Sequence, residues 1–188
     1  HTTPFEMVEF KFHCKMPIFV ARQWVRHRTA NINEYSLRYS EARDEFYYPD
    51  PENIQFQSVL NKQGRTEVVS QELTQKVNQY FKEISKRSFE IYSELNEAGV
   101  ARELARAVLP VNLYTEWYWK NDLHNLLHFI SLRSDNHAQY EIRVYSDAMA
   151  ESVKKAAPFA WEAYQDYVVK GMRFSRIEQN LFEKKLPK

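Results

Sequence analysis

The spacing of the apolar residues changes from a strand period to a helix period along the chain, and this change constrains the fold most. In residues 7–15 apolar and polar side chains alternate, which is typical of a half-buried strand. From Ser70 to Gly99 apolar residues recur at helical spacing, and glycine suits the end of a helix. The apolar stripe of that segment consists of Leu73, Val77, Tyr80, Phe81, Ile84, Ile91 and Leu95. The pattern predicts one α+β domain over residues 1–188, with strands near the start and helices afterward.

Prolines and polar stretches divide the first part of the chain further. Pro17 suits the first turn of a helix, and residues 29–34 are polar and expected to be irregular. Extended segments are expected at residues 35–39 and 46–48. Residues 49–69 are expected to form a loop because they show little internal pattern.

Helices are expected to fill the second part of the chain. A short helix ends at Pro110, and Asn121 or Asp122 can cap the next one. Its inward-facing residues are expected to be Leu123, Leu126, Leu127 and Ile130. A long helix is expected over residues 136–157, with a break at Pro158 and a further helix after it.

Charge balance and cysteine content exclude several classes of protein. The chain carries 26 basic and 25 acidic residues, whereas non-specific binding to nucleic acid or membranes needs a strongly basic face. The single cysteine, Cys14, cannot form an internal disulfide and fits a reducing cytoplasm. No apolar run reaches the ~20 residues of a membrane span, and no signal-peptide pattern opens the chain. Because the chain begins at His1 and not at Met, we expect a further N-terminal stretch before it.

Glycine is scarce, and this excludes the common nucleotide-binding loops. The chain has only Gly64, Gly99 and Gly171, which are far apart. A Walker loop or a dinucleotide fingerprint needs clustered glycines so that the backbone can approach phosphate closely. Any nucleotide must therefore be held by arginine side chains, helix termini and aromatic rings.

Arginine takes the place of lysine in one segment. No lysine occurs between Lys15 and Lys62, and the arginines of this interval are Arg22, Arg26, Arg28, Arg38 and Arg43. Arginine grips phosphate or carboxylate through two parallel hydrogen bonds, whereas lysine offers a point charge. The segment is therefore expected to hold anions in a defined orientation.

Within this segment, the geometry of a helix groups the polar residues in pairs. If residues 17–28 are helical, Arg22 and Arg26 share one face, and Gln23 and His27 share another. A solvated basic face that pairs with acids elsewhere is the simpler alternative. The flanking residues are strongly apolar, so these polar groups are expected at the rim of a core, which favours a binding site.

Further arginines lie later in the chain. Arg102 and Arg106 form a second pair at helical spacing, with Glu103 able to orient one of them, although a surface ion pair is the alternative. Arg133 opens the segment RSDNHAQYE, which is too polar for a core. The alternative for that segment is a capped helix N-terminus.

Neither a covalent nucleophile nor a metal site is evident. His124 and His128 have helical spacing but no third ligand nearby, so no metal is expected. Cys14 lies on the apolar side of its strand, where an inert thiol is the default. Ser36 lacks a nucleophile elbow, so a hydrogen-bonding role is favoured. If the protein is an enzyme, a cofactor is expected to carry the difficult chemistry.

The segment RHRTANINEYS matches the RHR-x7-S signature of the flavin-dependent thymidylate synthases. The resemblance extends, in the order of that family, to HTTPFEMVEFKFHCKMPIFVARQW, SLRYS, ARELARAVLPVNLYTEWYW and SLRSDNHAQYE. It covers most of residues 1–48 and 98–145, and this ordered set is far more specific than RHR alone. The resemblance implies the fold of that family, a small, mostly antiparallel sheet packed with several helices.

The resemblance also implies an activity. That family makes dTMP from dUMP, with 5,10-methylenetetrahydrofolate as the one-carbon donor and FAD, reduced by NADPH, as the hydride source. It does not use a cysteine nucleophile or a Rossmann fold, which agrees with the shortage of nucleophiles and glycine loops here. The family assembles as a homotetramer whose active sites are built from several subunits, so the resemblance implies the same for this chain.

Site residues follow from the matched motif positions. For dUMP the resemblance implies contacts from Gln23, Glu34, Ser36, Arg38, Arg106 and Arg133. Arg133 is also the implied catalytic residue, because a cation beside the uracil ring can stabilise negative charge that develops during attack from C5. For the flavin and the folate-side pocket the implied residues are Thr3, Glu6, Arg26, His27, Arg28 and His137, with Tyr39 as a wall. Asp122 and His128 stand where relatives often carry asparagine, which leaves FAD contacts from that helix open.

Two rival hypotheses stay open at the level of sequence. The first is a non-enzymatic module for single-stranded nucleic acid, which would stack bases on Tyr114, Trp117, Tyr118 and Trp119. The near-neutral net charge disfavours it. The second is a flavoprotein that has lost methyl transfer.

Overall fold

The computed structural model of the chain describes residues 2–59 and 64–185, and of residues 183–185 it describes the backbone alone. The helices in these ranges are α1 (Thr3–Glu6), α2 (Ile18–Trp24), α3 (Gln71–Glu97), α4 (Arg102–Ala105), α5 (Leu123–Arg133), α6 (Tyr140–Ala156), α7 (Pro158–Tyr164) and α8 (Arg176–Lys185). The strands are β1 (Glu9–Pro17), β2 (Asn31–Glu34), β3 (Gln55–Gln57), β4 (Arg65–Val68) and β5 (Tyr114–Asp122). The chain divides into two compact units, residues 1–146 and 147–188. The single domain expected over residues 1–188 stays a prediction.

The first unit contains a three-stranded antiparallel sheet in the order β1-β5-β2. β1 pairs with β5 from Glu9 opposite Asp122 to Pro17 opposite Tyr114. Burial alternates along β1, with Cys14 on the buried side, as the sequence predicts. The small antiparallel sheet among helices confirms the expected α+β fold class.

Aromatic rings form the core beside this sheet. Trp24 of α2 is fully buried, and its ring centroid lies 5.5 Å from that of Trp117, 5.6 Å from Trp119 and 5.1 Å from Phe129. These contacts join α2, β5 and α5. Because large rings bury much apolar surface, this cluster sets the orientation of the segment that follows α2.

The long helix α3 has the boundaries that the sequence predicts. The Ser70 hydroxyl oxygen accepts a hydrogen bond from the backbone N–H of Leu73 at 3.2 Å, and Gly99 has the positive φ of a helix C-terminus. Its apolar stripe is not its most buried face, however. The buried residues are Thr74, Ser85, Ser88 and Tyr92, since small side chains let neighbouring segments approach closely, and Ser85 accepts a hydrogen bond from the amide of Asn112 at 3.0 Å.

The helix α5 also agrees with the sequence. Of the two candidate caps it is Asp122 that accepts the hydrogen bond from the backbone N–H of Asn125, at 2.8 Å. The predicted inward-facing residues are all buried, namely Leu123, Leu126, Leu127 and Ile130. A short helix, α4, precedes Pro110 as expected. In the described ranges, no helix combines the length and the apolar character needed to cross a membrane.

Two strands of the three-stranded sheet lie where the sequence analysis predicts none. Residues 29–34 are expected to be irregular, but Asn31–Glu34 form β2 because their backbone pairs with β5. The strand β5 is absent from the prediction, although every second residue from Thr115 to Asn121 is buried. This alternation could have predicted the strand. It is hard to see in the sequence because large aromatic residues lie on both faces, tryptophan on the buried face and tyrosine on the other.

The predictions for residues 35–39 and 49–69 are wrong. The first range forms a turn, in which the backbone N–H groups of Tyr39 and Ser40 donate to the Ser36 carbonyl at 3.2 and 3.1 Å. The second range is not a plain loop, because β3 and β4 pair within it as a hairpin. Residues 60–63 of that range lie outside the described residues.

Other boundaries differ by small amounts. The extended segment expected at residues 46–48 is a single bridge between Phe46 and Leu113. The long helix expected from residue 136 begins at Tyr140 as α6.

The second unit contains the end of α6, then α7, a π-helical turn over Gln165–Val169, and α8. Pro158 occupies the first turn of α7, so the break predicted there is confirmed. Within this unit the rings of Trp161 and Tyr164 lie 5.3 Å apart, and those of Phe174 and Phe182 lie 4.7 Å apart.

Candidate functional site

A polar cleft of about 850 Å³ lies in the first unit. Three of the predicted site residues line it, namely Gln23, Arg133 and His137. They come from α2, from the end of α5 and from the segment before α6. Side chains not predicted for the site also line it, among them Gln55, Arg65, Gln139 and Arg143.

A hydrogen bond joins Arg133 to the arginine-rich turn. The Nε–H of Arg133 donates to Nε2 of His27 at 3.0 Å. The imidazole ring also stands edge-on to Phe129, at 4.8 Å between centroids. Phe129 belongs to the same core cluster as Trp24, so packing of the core places His27 against Arg133.

The charge state of this pair is set by burial. Burial, followed by the electrostatic effects of Arg133 and of His128, lowers the pKa of His27 to about 4. The ring is therefore neutral near pH 7 and can accept the hydrogen bond from Arg133. Burial lowers the pKa of Arg133 as well, but arginine stays protonated. Among the described residues Arg133 forms no ion pair with a carboxylate, so its charge is available to an anion.

Gln23 contributes an unmet acceptor to the cleft. Its side-chain Oε1 is buried and has no hydrogen-bond partner in the described part of the chain. Because an unpaired buried oxygen costs free energy, a ligand or a water that donates a hydrogen bond is expected here. An amide binds phosphate only through its NH₂ group, so the predicted phosphate contact requires the amide to turn over.

His137 is held at the exposed side of the cleft. Its Nδ1 lies 2.8 Å from Oδ1 of Asp135, which also accepts the backbone N–H of His137. The side chain is 82% exposed, so its outer nitrogen is accessible to a ligand. Gln23, His27, Arg133 and His137 are called the cleft group below.

Three other residues that were predicted to bind the nucleotide are linked to Glu103, directly or through Arg38. Its carboxylate accepts a hydrogen bond from Arg38 at 3.1 Å, and its backbone carbonyl accepts one from Nε of Arg106 at 3.4 Å. The hydroxyl of Ser36 accepts the backbone N–H of Arg38 at 3.3 Å. Glu103 was expected to orient Arg102 or Arg106, and its carboxylate pairs with Arg38 instead. Ser36, Arg38, Glu103 and Arg106 are called the surface group.

Glu34 belongs to neither group. At the end of β2 it accepts a hydrogen bond from the hydroxyl of Thr115 at 2.7 Å, which holds its carboxylate against β5. Within residues 2–59 and 64–185, no hydrogen bond or ion pair joins the cleft group to the surface group.

The residues predicted for the flavin are mostly exposed. Thr3 and Glu6 lie on the short helix α1 and do not line the cleft. Arg26 and Arg28 flank His27 in the turn after α2 and are exposed. The side chains of both arginines lack a hydrogen-bonding or acidic partner in the described ranges.

The structure also describes the cysteine, the histidine pair and the aromatic cluster. Burial raises the pKa of the Cys14 thiol to about 11, so it is the inert thiol that the sequence predicts. No cluster of three potential metal ligands occurs among the described residues, and His124 and His128 have no third partner there. The stacking platform of the nucleic-acid hypothesis is not formed, because Trp117 and Trp119 are buried in the core.

Sequence reasoning missed Arg65, Gln139 and Glu141. Glu141 is 5% exposed and accepts hydrogen bonds from Arg65 and Gln139. Little in the sequence points to these residues, because polar residues dominate β3 and β4 and the partners of Glu141 are distant in the chain.

Comparison with known proteins agrees with the motifs. The family model described as thymidylate synthase complementing protein matches residues 1–159. A flavin-dependent thymidylate synthase of Ehrlichia ruminantium (strain Gardel) is 53% identical over 184 residues, which cover 98% of this chain and 62% of that protein. One of Dictyostelium discoideum is 50% identical over 178 residues, covering 95% of this chain and 58% of that protein. The chain thus spans less than two thirds of the length of these relatives.

A solved structure shares the fold. The UMP/dUMP methylase PolB from Streptomyces cacaoi, in a crystal structure bound with 5-Br UMP, matches with a TM-score of 0.84 and 34% sequence identity, over 89% of this chain and 78% of that chain. The fold and the family match together confirm the resemblance that the RHR-x7-S signature indicates. The chain belongs to the thymidylate synthase complementing protein family.

Proposed function

We propose that the full-length protein carrying this chain is a flavin-dependent thymidylate synthase. It converts dUMP to dTMP, with 5,10-methylenetetrahydrofolate as the one-carbon donor and NADPH-reduced FAD as the hydride source. The names of the relatives and of the UMP/dUMP methylase support this activity. The observation that carries the proposal is the half-buried Arg133, which has a neutral histidine partner and an available positive charge inside a polar cleft.

Residues of this chain fit a flavin. Arg26 and Arg28 present cations without acidic partners in the described ranges, which suits the diphosphate of FAD. We assign the flavin to these two arginines together with Thr3, Glu6, His27 and His137. When bound, FAD supplies the hydride that reduces the transferred carbon to a methyl group.

Arg133 is assigned to the pyrimidine. Its guanidinium donates hydrogen bonds to a uracil carbonyl and stabilises the negative charge that develops on the ring during attack from C5. His27 holds Nε of Arg133 and leaves the outer nitrogens for the substrate. Because Arg133 is half-buried, solvent screens its attraction to the negative charge on the ring less, and the attraction is stronger.

Gln23, Glu34, Ser36, Arg38 and Arg106 are assigned to the remainder of dUMP. Arg38 and Arg106 bind the phosphate dianion, which competes with Glu103 for the guanidinium of Arg38. Glu34 meets the sugar, with its carboxylate held by Thr115.

The active site is shared between copies of the chain in a homotetramer. In one chain the cleft group and the surface group have no direct bond between them in the described residues, yet residues of both groups are assigned to a single nucleotide. Closed symmetric assembly is the common way in which identical chains bring such groups together. The surface group of one copy then completes the cleft of another.

The absorption spectrum of the full-length protein tests flavin binding, and tritium release from labelled dUMP tests the activity. The purified protein is expected to show a flavin spectrum and to release tritium from C5-labelled dUMP when folate and NADPH are present. A protein that refuses FAD contradicts the proposal outright. A protein that keeps the flavin but releases no tritium is the flavoprotein without methyl transfer.

Mixed oligomers test the sharing of the site. Arg38→Ala and Arg133→Ala are each expected to lower turnover strongly, and co-assembly of both variants is expected to restore part of it, because some sites receive both intact groups. Co-assembled variants that stay inactive place the whole site in one chain.

A cytoplasmic location belongs to this proposal, since a single cysteine fits a reducing compartment.

A further inference from the structure

Glu141 lies at the centre of a buried hydrogen-bond network in the wall of the cleft. It is 5% exposed, and its carboxylate accepts hydrogen bonds from Arg65 at 2.9 and 2.7 Å, from the Tyr47 hydroxyl at 2.9 Å and from Nε2 of Gln139 at 2.9 Å. These donors lie in three segments that are distant in sequence. Glu141 therefore joins the β3–β4 hairpin and the segment carrying His137 to α6.

The hairpin depends on this network for its attachment. A two-stranded hairpin is marginally stable by itself, and the residues of β4 are all exposed. Arg65 joins Glu141 and also donates to the backbone carbonyl of Asn53 at 3.0 Å. Arg65 and Gln55 line the polar cleft and also a neighbouring apolar cavity of about 650 Å³, which Glu141 lines as well. The network thus forms the wall between the two spaces.

The charge of Glu141 determines which way the amide of Gln139 points. Burial alone would raise the pKa of Glu141, but the hydrogen bonds from Arg65 and Gln139 outweigh this and keep it below its ordinary value. An ionised carboxylate is an acceptor only, so Gln139 must turn its NH₂ group toward it. The network thus fixes the orientation of this amide.

We propose that Glu141 is a positioning residue that makes the Gln139 carbonyl oxygen an acceptor for the N3–H of uracil, and so selects uracil over cytosine nucleotides. This inference rests on the proposed function. Gln139 lines the same cleft as Arg133, and because one N–H of its amide is bound to Glu141 and fixes the orientation of the amide, Oε1 is the acceptor that Gln139 offers to a ligand. Uracil presents a donor at N3 between two carbonyl acceptors, whereas cytosine has an acceptor at N3. A cleft lined by both a guanidinium donor and a fixed carbonyl acceptor matches the uracil edge and opposes the cytosine edge.

The selectivity follows from the free-energy cost of placing the carbonyl oxygen of Gln139 opposite another acceptor, N3 of cytosine. A site built to hydrogen-bond a donor on its substrate discriminates strongly against an analogue without that donor, because its own polar group is then left unpaired. If the amide of Gln139 is free to turn over, it can offer NH₂ to cytosine and the discrimination falls.

The test measures binding of dUMP and of dCMP to the FAD-loaded full-length protein by calorimetry. Glu141→Gln and Gln139→Met are expected to reduce the ratio of dUMP to dCMP affinity by about tenfold or more, as the loss of one oriented hydrogen bond to substrate predicts. FAD content and melting temperature are recorded for each variant. A role in stability alone would weaken both nucleotides equally and leave the ratio unchanged.

Tyr47→Phe is the matched control. It removes the hydroxyl donor to Glu141 but leaves the hydrogen bonds from Arg65 and Gln139, so the affinity ratio is expected to stay at the wild-type value. If Glu141→Gln does not fold, Gln139→Met decides the matter, since it alters only the end of one half-buried side chain.

The inference is overturned if folded Glu141→Gln and Gln139→Met proteins keep the wild-type ratio. It is also overturned if Gln23→Met lowers the ratio and Gln139→Met does not, because the unmet oxygen of Gln23 is then the acceptor. Wild-type protein that binds no dUMP refutes the proposed function and this inference together, whereas normal wild-type binding with unchanged variant ratios refutes the inference alone.

Discussion

The cleft group and the surface group both present arginine, but in opposite electrostatic surroundings. Arg133 is half-buried, and its described partner is the neutral ring of His27. Arg38 has a side chain that is 54% exposed, and it pairs with the carboxylate of Glu103. The charge of Arg133 thus has no counter-charge and is partly shielded from solvent, while the charge of Arg38 has a counter-charge and is well solvated.

This difference indicates what each arginine can do. An exposed ion pair is worth little and is screened by salt, so a phosphate can displace Glu103 from Arg38 at small cost. A half-buried cation without a counter-charge attracts negative charge more strongly, because the local dielectric is lower. Arg133 is therefore suited to charge that develops during a reaction, and Arg38 to a charge that is already present.

The largest expected effect is on turnover. Replacement Arg133→Ala is expected to lower dUMP-dependent turnover by about 10²–10³-fold, the usual cost of removing one donor to developing charge. FAD binding is expected to persist, because the exposed Arg26 and Arg28 are unchanged. Tritium release and the flavin spectrum of the full-length protein measure the two quantities.

Arg133→Lys is the matched control for charge. Lysine keeps the positive charge but cannot donate from a planar fork, so we expect partial activity between that of the wild type and that of Arg133→Ala. Wild-type turnover in the alanine variant would refute the role assigned to Arg133.

A second experiment compares buried and exposed acids. Glu141→Ala leaves Arg65 without its buried partner and is expected to cost about 3 kcal/mol, or a fall of roughly 6–12 °C in melting temperature. Glu103→Ala removes an exposed partner and is expected to change it by less than ~3 °C. Equal shifts in the two variants, under the same ligand conditions, would show that burial does not distinguish these acids.

Acid conditions sharpen the comparison further. The pKa of His27 is lowered to about 4, mainly by burial, so between pH 6.5 and about 4 the unfolded chain binds a proton that the folded chain does not. Stability therefore rises with pH across this window. Melting temperatures of the wild type and of His27→Asn across this range are expected to diverge, with a steeper loss in the wild type. Parallel curves would mean that His27 titrates normally.

The smallest effect is expected at the surface pair. A double-mutant cycle with Arg38→Ala and Glu103→Ala is expected to give a coupling energy below ~1 kcal/mol in the free protein, and less at high salt. A coupling of several kcal/mol would show that this pair is structural, and that phosphate does not easily displace Glu103.

Local features of the fold followed from the sequence because they depend on neighbouring residues. The alternation of β1, the Ser70 cap and the positive φ at Gly99 each depend on a few consecutive positions. The strand β2 did not, because its backbone becomes extended only by pairing with β5. The β3–β4 hairpin escaped prediction for a similar reason, since polar side chains occupy both of its strands.

The family, the scarcity of nucleophiles and the arginines available to an anion could be read from residue type and order alone. The partners of those arginines depend on the tertiary structure. The bond between His27 and Arg133 spans 106 positions in the chain, and that between Arg38 and Glu103 spans 65. Such pairs depend on how the aromatic core around Trp24 and the sheet bring distant segments together. Packing of that core, rather than any local pattern, therefore separates a half-buried cation from an exposed one.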